Sequence, residues 1–363
     1  MCRRPPRAFS TDFGTDSGNE VASPDTLLRC FNELATENTV VEVPSSGKAY
    51  QFNINEKLNS LNIKTLLLTK QLEKDQFYDF DCDNQIIEHE KFDAKKTYKM
   101  NTGYFPGVAT IGNKIVYIEN RDGNANVKTA QAETLERAYK LLNDNEIYVN
   151  RSRMDAGSYA KDIIKMADHC SELFYIRANK CDTLTEEIRQ ISDWQTVEIN
   201  FKEYQVTSIP FTNFLADRKF RLVIMREKTG DPQLDLFEGE KFTYRSILTN
   251  DHKSNEKEII EYYNQRGASE KTFDIQNNDF GWGHLPASFM AASTVYLIIT
   301  AILKNFYNYL LEKISKVFTD ILPTIRIKRF IFRFINVVGR YVYRGRRWIL
   351  QLYTDRPYEQ LLI

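Results

Sequence analysis

No stretch of this chain limits its fold more than Phe77-Tyr78-Asp79-Phe80-Asp81-Cys82-Asp83. Apolar residues at every second place predict a strand, and on a strand residues two apart point to the same side. Asp79, Asp81 and Asp83 therefore share one face. Three like charges at that spacing repel one another unless a cation or water offsets them. Two explanations fit: an edge strand that uses charge to prevent pairing, or a site that takes up positive charge.

The surroundings of this strand suggest an order. Ser23-Pro24-Asp25 is a helix-start signal, and helices are expected over 26–35 and 55–70. Strands are expected over 108–111 and 115–119, joined by a Gly112-Asn113 turn, then a helix over 130–142 with Leu135, Ala138, Leu141 and Leu142 on its apolar face. A strand over 147–154, Gly157 and a helix over 159–167 follow. The result is strand, strand, strand, helix, strand, helix. A second strand-rich stretch covers 174–176, 196–199, 204–209, 220–225 and 242–248, and a helix begins at 254 and continues past Glu270. Periodicity beyond Pro286 reads as helix throughout. The expected fold class is α/β, with a β-rich insertion at about 172–250 and a helical C-terminal region. The corresponding divisions are 1–70, 71–285 and 286–363.

Composition narrows the class. Lys and Arg number 49 and so do Asp and Glu, which excludes a uniformly basic coat or an acidic tail, and 42% hydrophobic residues are too many for a disordered chain. Cys2, Cys30, Cys82, Cys170 and Cys181 are odd in number and form no CxxC pair, and the basic start lacks the apolar run of a signal peptide. Reduced thiols in the cytoplasm are expected. The uncharged run 286–303 imitates a membrane span, but its first half is small and weakly polar, so a buried helix and no membrane partner are expected.

The carboxylates carry the chemistry. Asp155 follows the fourth strand, where open α/β sheets place ligand-binding groups, although a lone Asp there also suits a helix cap. Tyr263, Arg266 and Glu270 fall at i, i+3 and i+7, one face of a continuous helix or else a surface ion pair. An acid on the first strand, another after the fourth and a Glu on a later helix is the layout of RNase H-like nucleotidyl transferases. Hard oxygen ligands from separate elements suit two Mg²⁺ or Mn²⁺ ions.

Six stretches then match together: Ser23-Pro24-Asp25-Thr26, Asp81-Cys82-Asp83-Asn84, Gly103-Tyr104-Phe105-Pro106-Gly107, Arg153-Met154-Asp155-Ala156-Gly157-Ser158-Tyr159, Leu248-Thr249-Asn250-Asp251 and Tyr263-Asn264-Gln265-Arg266-Gly267-Ala268-Ser269-Glu270. From about residue 18 to its end, the chain resembles bacterial insertion-sequence transposases of the DDE type, in the group with a Y-x2-R-x3-E-x6-K signature. The resemblance implies that Asp155 is the second acid, Glu270 the third, and Asp81 or Asp83 the first. Asp83 is favoured because a polar residue and then the second strand follow it. Tyr263 and Arg266 match the signature, and Arg266 would contact phosphate or orient Glu270. The signature Lys is replaced by Asn277, with Lys271 the nearest basic residue. Residues 1–17 do not resemble the helical arm of such relatives, so a shortened DNA-binding arm is expected.

The implied activity is metal-dependent cleavage at transposon ends and transfer of the 3′ ends into target DNA, by a homodimer on paired terminal inverted repeats. A catalytically inactive DNA-binding derivative and an RNase H-like nuclease are the alternatives. The insertion would help hold the DNA end, with Trp194 either stacked on an unpaired base or packed in the core. Between Lys313 and Arg356 eleven basic residues face two acids, a net of +9 that the remaining chain balances at −9. Read as a helix, this tail places Arg329, Arg333, Arg340, Arg344 and Arg347 on one face, as a DNA backbone or an anionic membrane surface would select.

Overall fold

The computed structural model describes residues 8–9, 22–43, 47–179, 182–214, 218–228 and 242–361. Its centre is formed by β1 (Gln76–Asn84), β2 (Gly107–Ile111), β3 (Lys114–Arg121), α1 (Gln131–Asn143), β4 (Ile147–Met154), α2 (Lys161–Cys170) and β5 (Leu173–Arg177). The lateral order is β3-β2-β1-β4-β5. β2 runs antiparallel to both its neighbours, while β1, β4 and β5 are parallel. This is the RNase H-like arrangement, and it follows from connection lengths. The Gly112 turn (φ +58°) can return the chain only as a hairpin, whereas α1 and α2 are long enough to cross over between parallel strands.

β1 is paired on both sides, so its aspartates do not guard an edge. Its Phe80 and Cys82 are buried under α1 and α2, where Leu135, Ala138, Tyr139, Ile163 and Ile164 close the largest core. Phe80 packs on Tyr139 with ring centroids 4.8 Å apart, and the Tyr139 hydroxyl bonds Ser152 Oγ at 2.7 Å. The aspartates are left on the opposite face of the sheet.

β6 (Gln195–Ile199), β7 (Lys202–Phe211), β8 (Phe220–Lys228) and β9 (Phe242–Thr249) extend the same sheet, with β9 antiparallel to β5. Because β5 pairs with β4 as a core strand, the inserted part begins after Arg177. The helix α3 (Glu256–Asn264), started by an Asn255–Glu258 capping box, lies on this wing through Ile259, Ile260 and Tyr263. Beyond β3 the sheet gains a hairpin, Asn38–Val43 with Lys48–Asn53, bringing it to eleven strands. The expected N-terminal helices are present at Pro24–Leu34 and Glu56–Leu68, but the hairpin between them was not foreseen.

That hairpin meets β3 only at Phe52–Asn53, so among the described residues the middle of β3 has no strand on the side away from β2. Side-chain amides take the place of one. Asn59 donates to the Ile118 carbonyl at 2.8 Å and accepts from the Ile118 N–H at 2.9 Å. Asn62 donates to the Ile115 carbonyl at 2.8 Å, and the Ile115 N–H donates to Asn305 Oδ1 at 3.1 Å. Asn305 belongs to α5 (Met290–Val317), which follows α4 (Ala268–Asp279). α5 is long and apolar enough to cross a membrane, but it packs here on β3 and on Glu56–Leu68, with Val295, Leu297, Ile298 and Ala301 fully covered.

Beyond α5 the expectation of continuous helix is corrected. A short helix at Ile327–Phe330 runs into a π turn at Ile331–Ile335, and then come two antiparallel strands, β10 (Gly339–Arg344) and β11 (Arg347–Leu352), with Ala8–Phe9 paired to β11. Gly345, at φ +59°, provides the left-handed turn, and the aromatic and β-branched residues around it favour strand over helix. The five tail arginines therefore do not share a helical face: Arg329 and Arg333 lie on the helical turns, and Arg340, Arg344 and Arg347 on the hairpin.

Candidate active site

β1 and β4 run in parallel register, Asp79 beside Arg151 and Asp81 beside Arg153. Each rung is a bidentate ion pair. Arg151 donates to the two Asp79 oxygens at 2.8 and 2.6 Å, and Arg153 to those of Asp81 at 2.6 and 2.8 Å. The Tyr262 ring covers both guanidinium groups, whose carbons lie 4.0 and 4.5 Å from its centroid. After the rung of Cys82 and Met154 the pattern breaks, because the next residues are Asp83 and Asp155. The strand pairing ends at that rung, and past it Asp83 and Asp155 come close enough for the charge of one to act on the other.

Both carboxylates line one cleft of about 510 Å³. Burial is the main cause that raises the Asp155 carboxyl above the usual aspartate range, and the charge of Asp83 adds to it, while Arg266 pulls the other way. The backbone N–H groups of Gly157 and Ser158 in the turn that follows also favour its charged form, so Asp155 serves that turn as well as facing the cleft. Arg266 Nη1 donates to Asp83 Oδ2 at 2.7 Å. Tyr263 fixes the same region by donating its hydroxyl to the Met154 carbonyl at 3.1 Å.

Of the two candidates for the first acid, Asp83 faces the cleft, whereas Asp81 is 5% exposed and held by Arg153. Glu270 and Lys271 are both exposed. Their separation from the acid pair has a local cause: the helix that would have carried Tyr263, Arg266 and Glu270 on one face is interrupted by a 3₁₀ turn at Gln265–Gly267. A 3₁₀ turn advances three residues per turn rather than 3.6, which shifts the face that Glu270 occupies. Trp194 donates its indole N–H to the Ile191 carbonyl at 2.8 Å, and Arg226 lies 3.9 Å from its ring centroid.

The opposite wall of the cleft includes residues 123–128 and Phe105. Arg121, fully buried, organises that wall. Its Nη1 donates to the carbonyls of Val127 and Thr129 at 3.3 and 3.2 Å, and its Nη2 to Gln131 Oε1 at 3.0 Å. Gly107 leaves the room this requires, since a Cβ there would meet Arg121 Nη2 at 2.9 Å. Neither Arg121 nor Tyr262 was singled out from the sequence. The available signal was the arginine at every second place of β4, which matches the aspartate spacing on β1.

The donor set suits a hard divalent cation. Two carboxylates adjoin with Arg266 as the one base bonded to Asp83, and the Asn84 side-chain carbonyl on the same cleft is buried with no hydrogen-bond donor among the described residues. Among the described residues no cluster of three or more His, Cys, Asp or Glu forms, so Glu270 does not join the pair in this arrangement.

A family model described as Transposase DDE domain group 1 matches residues 4–363. No curated protein matches. Among solved structures, a cryo-EM structure of a piggyBac transposase synaptic complex with hairpin DNA is similar at a TM-score of 0.40 and 12% identity. The similarity covers 66% of this chain and 48% of that one, so this chain spans about half the length of its structural relative.

Proposed function

The chain belongs to the Transposase DDE domain group 1 family, and on that premise we propose that it cuts DNA at the ends of a transposable element and transfers the 3′ ends into target DNA. The observation that carries this reading is the acid–acid rung: past the two Asp–Arg pairs, where the pairing of β1 with β4 stops at Cys82 and Met154, Asp83 and Asp155 line one cleft together. Such a rung costs free energy in the empty protein and gains when a cation arrives. Asp83 and Asp155 would hold Mg²⁺ or Mn²⁺, with Glu270 as the third acid. Bound there, a pair of such ions supplies Lewis-acid stabilisation to the attacking and leaving oxygens of an in-line displacement at phosphorus.

The chain's own residues position the reactants. Arg266 orients Asp83 and is placed to meet a phosphate oxygen, as a guanidinium does well. Tyr263 holds the segment bearing Arg266 against the end of β4. Lys271, one residue beyond Glu270, is the basic group that would stand in for the Lys replaced by Asn277. No side-chain nucleophile is required, since water or a DNA 3′-hydroxyl attacks. A homodimer on paired ends is part of the proposal.

The exposure of Glu270 favours a second reading, a DNA-binding derivative without catalysis. Incubating the purified protein with Mg²⁺ and DNA carrying the flanking inverted repeats separates the two. Cleavage that is lost in Asp155→Asn supports the transposase. Binding without cleavage supports the derivative, and cleavage retained in folded Asp155→Asn removes the proposed site.

A further inference from the structure

The C-terminal hairpin is unlike the rest of the surface. Residues 339–352 contain four arginines and no acid. Its base is anchored, with the Tyr353 N–H bonded to the Val338 carbonyl at 2.7 Å and the Tyr358 hydroxyl to the Phe334 carbonyl at 2.6 Å, over a core of Phe318, Phe330 and Phe334. The two strands project from that base.

Register sorts the side chains. Tyr341 pairs with Leu350 and Tyr343 with Trp348, so these four share one face, while Arg340, Val342 and Arg344 take the other. Tyr341, Tyr343 and Trp348 are 64%, 57% and 52% exposed, and the Tyr343 and Trp348 rings lie 5.2 Å apart. Three large rings in water on one small ribbon are a costly surface to keep without a ligand. The nearby arginines are of two kinds. Arg326 and Arg356 are committed to ion pairs with Asp274, Asp279 and Asp320. Arg329, Arg344 and Arg346 are exposed and have no ion pair with a carboxylate among the described residues, while Arg333, also exposed, acts on Asp320.

We propose that this ribbon binds unpaired DNA, stacking bases on Tyr341, Tyr343 and Trp348 while Arg344 and Arg346 at its tip meet the phosphates. The proposal rests on the reading of the protein as one that acts on DNA, and adds a second contact that prefers single strands. Arginines alone would serve a duplex, whose base faces are already stacked on one another. Exposed rings beside them fit a strand whose bases are free, such as one released when a DNA end is opened or cut. Trp194, with Arg226 over its ring, offers no such surface.

Fluorescence anisotropy on the full-length protein tests this, with one 20-nucleotide oligomer presented single-stranded and as a duplex, and with phosphatidylserine vesicles as the competing surface. Trp348→Ala is expected to lower single-strand affinity by roughly 5- to 100-fold, reducing the single-strand to duplex ratio, while Trp348→Phe restores most of it. Arg344→Ala with Arg346→Ala should flatten the salt dependence of single-strand binding by about 1.4 in logarithmic slope. Wild-type single-strand affinity in folded Trp348→Ala overturns the proposal, as does loss of vesicle binding alone in that variant. If the wild type binds no DNA, the transposase reading falls as well. If it cuts inverted-repeat DNA but Trp348→Ala changes nothing, only the ribbon falls.

Discussion

Arginine is used in opposite ways at the two ends of this molecule. In the sheet, Arg151 and Arg153 each hold an aspartate with both arms, and Arg121 is fully enclosed. In the tail, Arg329, Arg344 and Arg346 stand in solvent without an acidic partner among the described residues. The formal charge is the same, yet the first set is spent on internal structure and the second stays available. For Arg151 and Arg153 what decides is an aspartate in register on β1, whereas Arg121 is held by two carbonyls and Gln131. Overall neutrality, 49 against 49, thus conceals a place where two acids adjoin and another where arginines gather without any.

The acid–acid rung is where the comparison can be broken most severely. Asp155→Asn is expected to reduce DNA cleavage to below roughly a thousandth of wild type, measured with Mg²⁺ on inverted-repeat ends. Stability should move the other way. A carboxyl raised in the folded state favours folding only while protonated, so Asp155 destabilises increasingly as pH rises from its unfolded value through its folded one. Thermal unfolding should show Asp155→Asn more stable than wild type at pH 7 and no such gain below about pH 4.

Within the ladder, Arg153→Met leaves Asp81 buried without its cation, and chemical denaturation should register a loss of about 3–5 kcal/mol. Adding Asp81→Leu should recover much of it, since two apolar neighbours leave no buried charge. A buried cation with no carboxylate gives a smaller, pH-dependent effect. Lys304 is 2% exposed and donates to the Asn113 carbonyl; burial, with Lys114 nearby, pushes its ammonium down to about 7. The folded state therefore binds fewer protons than the unfolded chain above that value, and stability should climb between about pH 7 and 10. Lys304→Met should flatten that climb. Arg344→Ala comes last, with a change in stability within about 0.5 kcal/mol, because nothing inside the protein depends on its charge.

These contrasts also mark how far the sequence could be read. The aspartate alternation on β1, the Gly112 turn and the helix lengths sufficed for the central topology, because each is a local signal with one geometric outcome. Asp83 and Asp155 are named as acids through the family resemblance, and their meeting at one cleft depends on the register of β1 and β4, which shifts between Val149 and Arg151. Two features were not legible for physical reasons. Arg340 and Arg344 are four apart, which suits a helical face and also two alternate places on a strand, and the deciding signal was Gly345 between Tyr341-Val342-Tyr343 and Trp348-Ile349-Leu350. The turn at Gln265–Gly267 has ordinary helix-compatible residues before it, so Glu270 was projected onto a face it does not occupy. The N-terminal hairpin escaped for a third reason: most of its residues are exposed or half-buried, and it shows no strong apolar alternation.

The amides along β3 carry a consequence for how the protein is made. The buried Ile115 N–H finds its acceptor on Asn305, 190 residues later in the chain. Until α5 emerges and docks, the Ile115 N–H has only water to bond, and β3 lacks the apolar cover of Val295, Leu297 and Ile298. A nascent chain released or stalled before Asn305 would hold all four proposed acids, Asp81, Asp83, Asp155 and Glu270, without the helix that covers β3. Synthesis order thereby delays completion of this fold until most of the polypeptide exists.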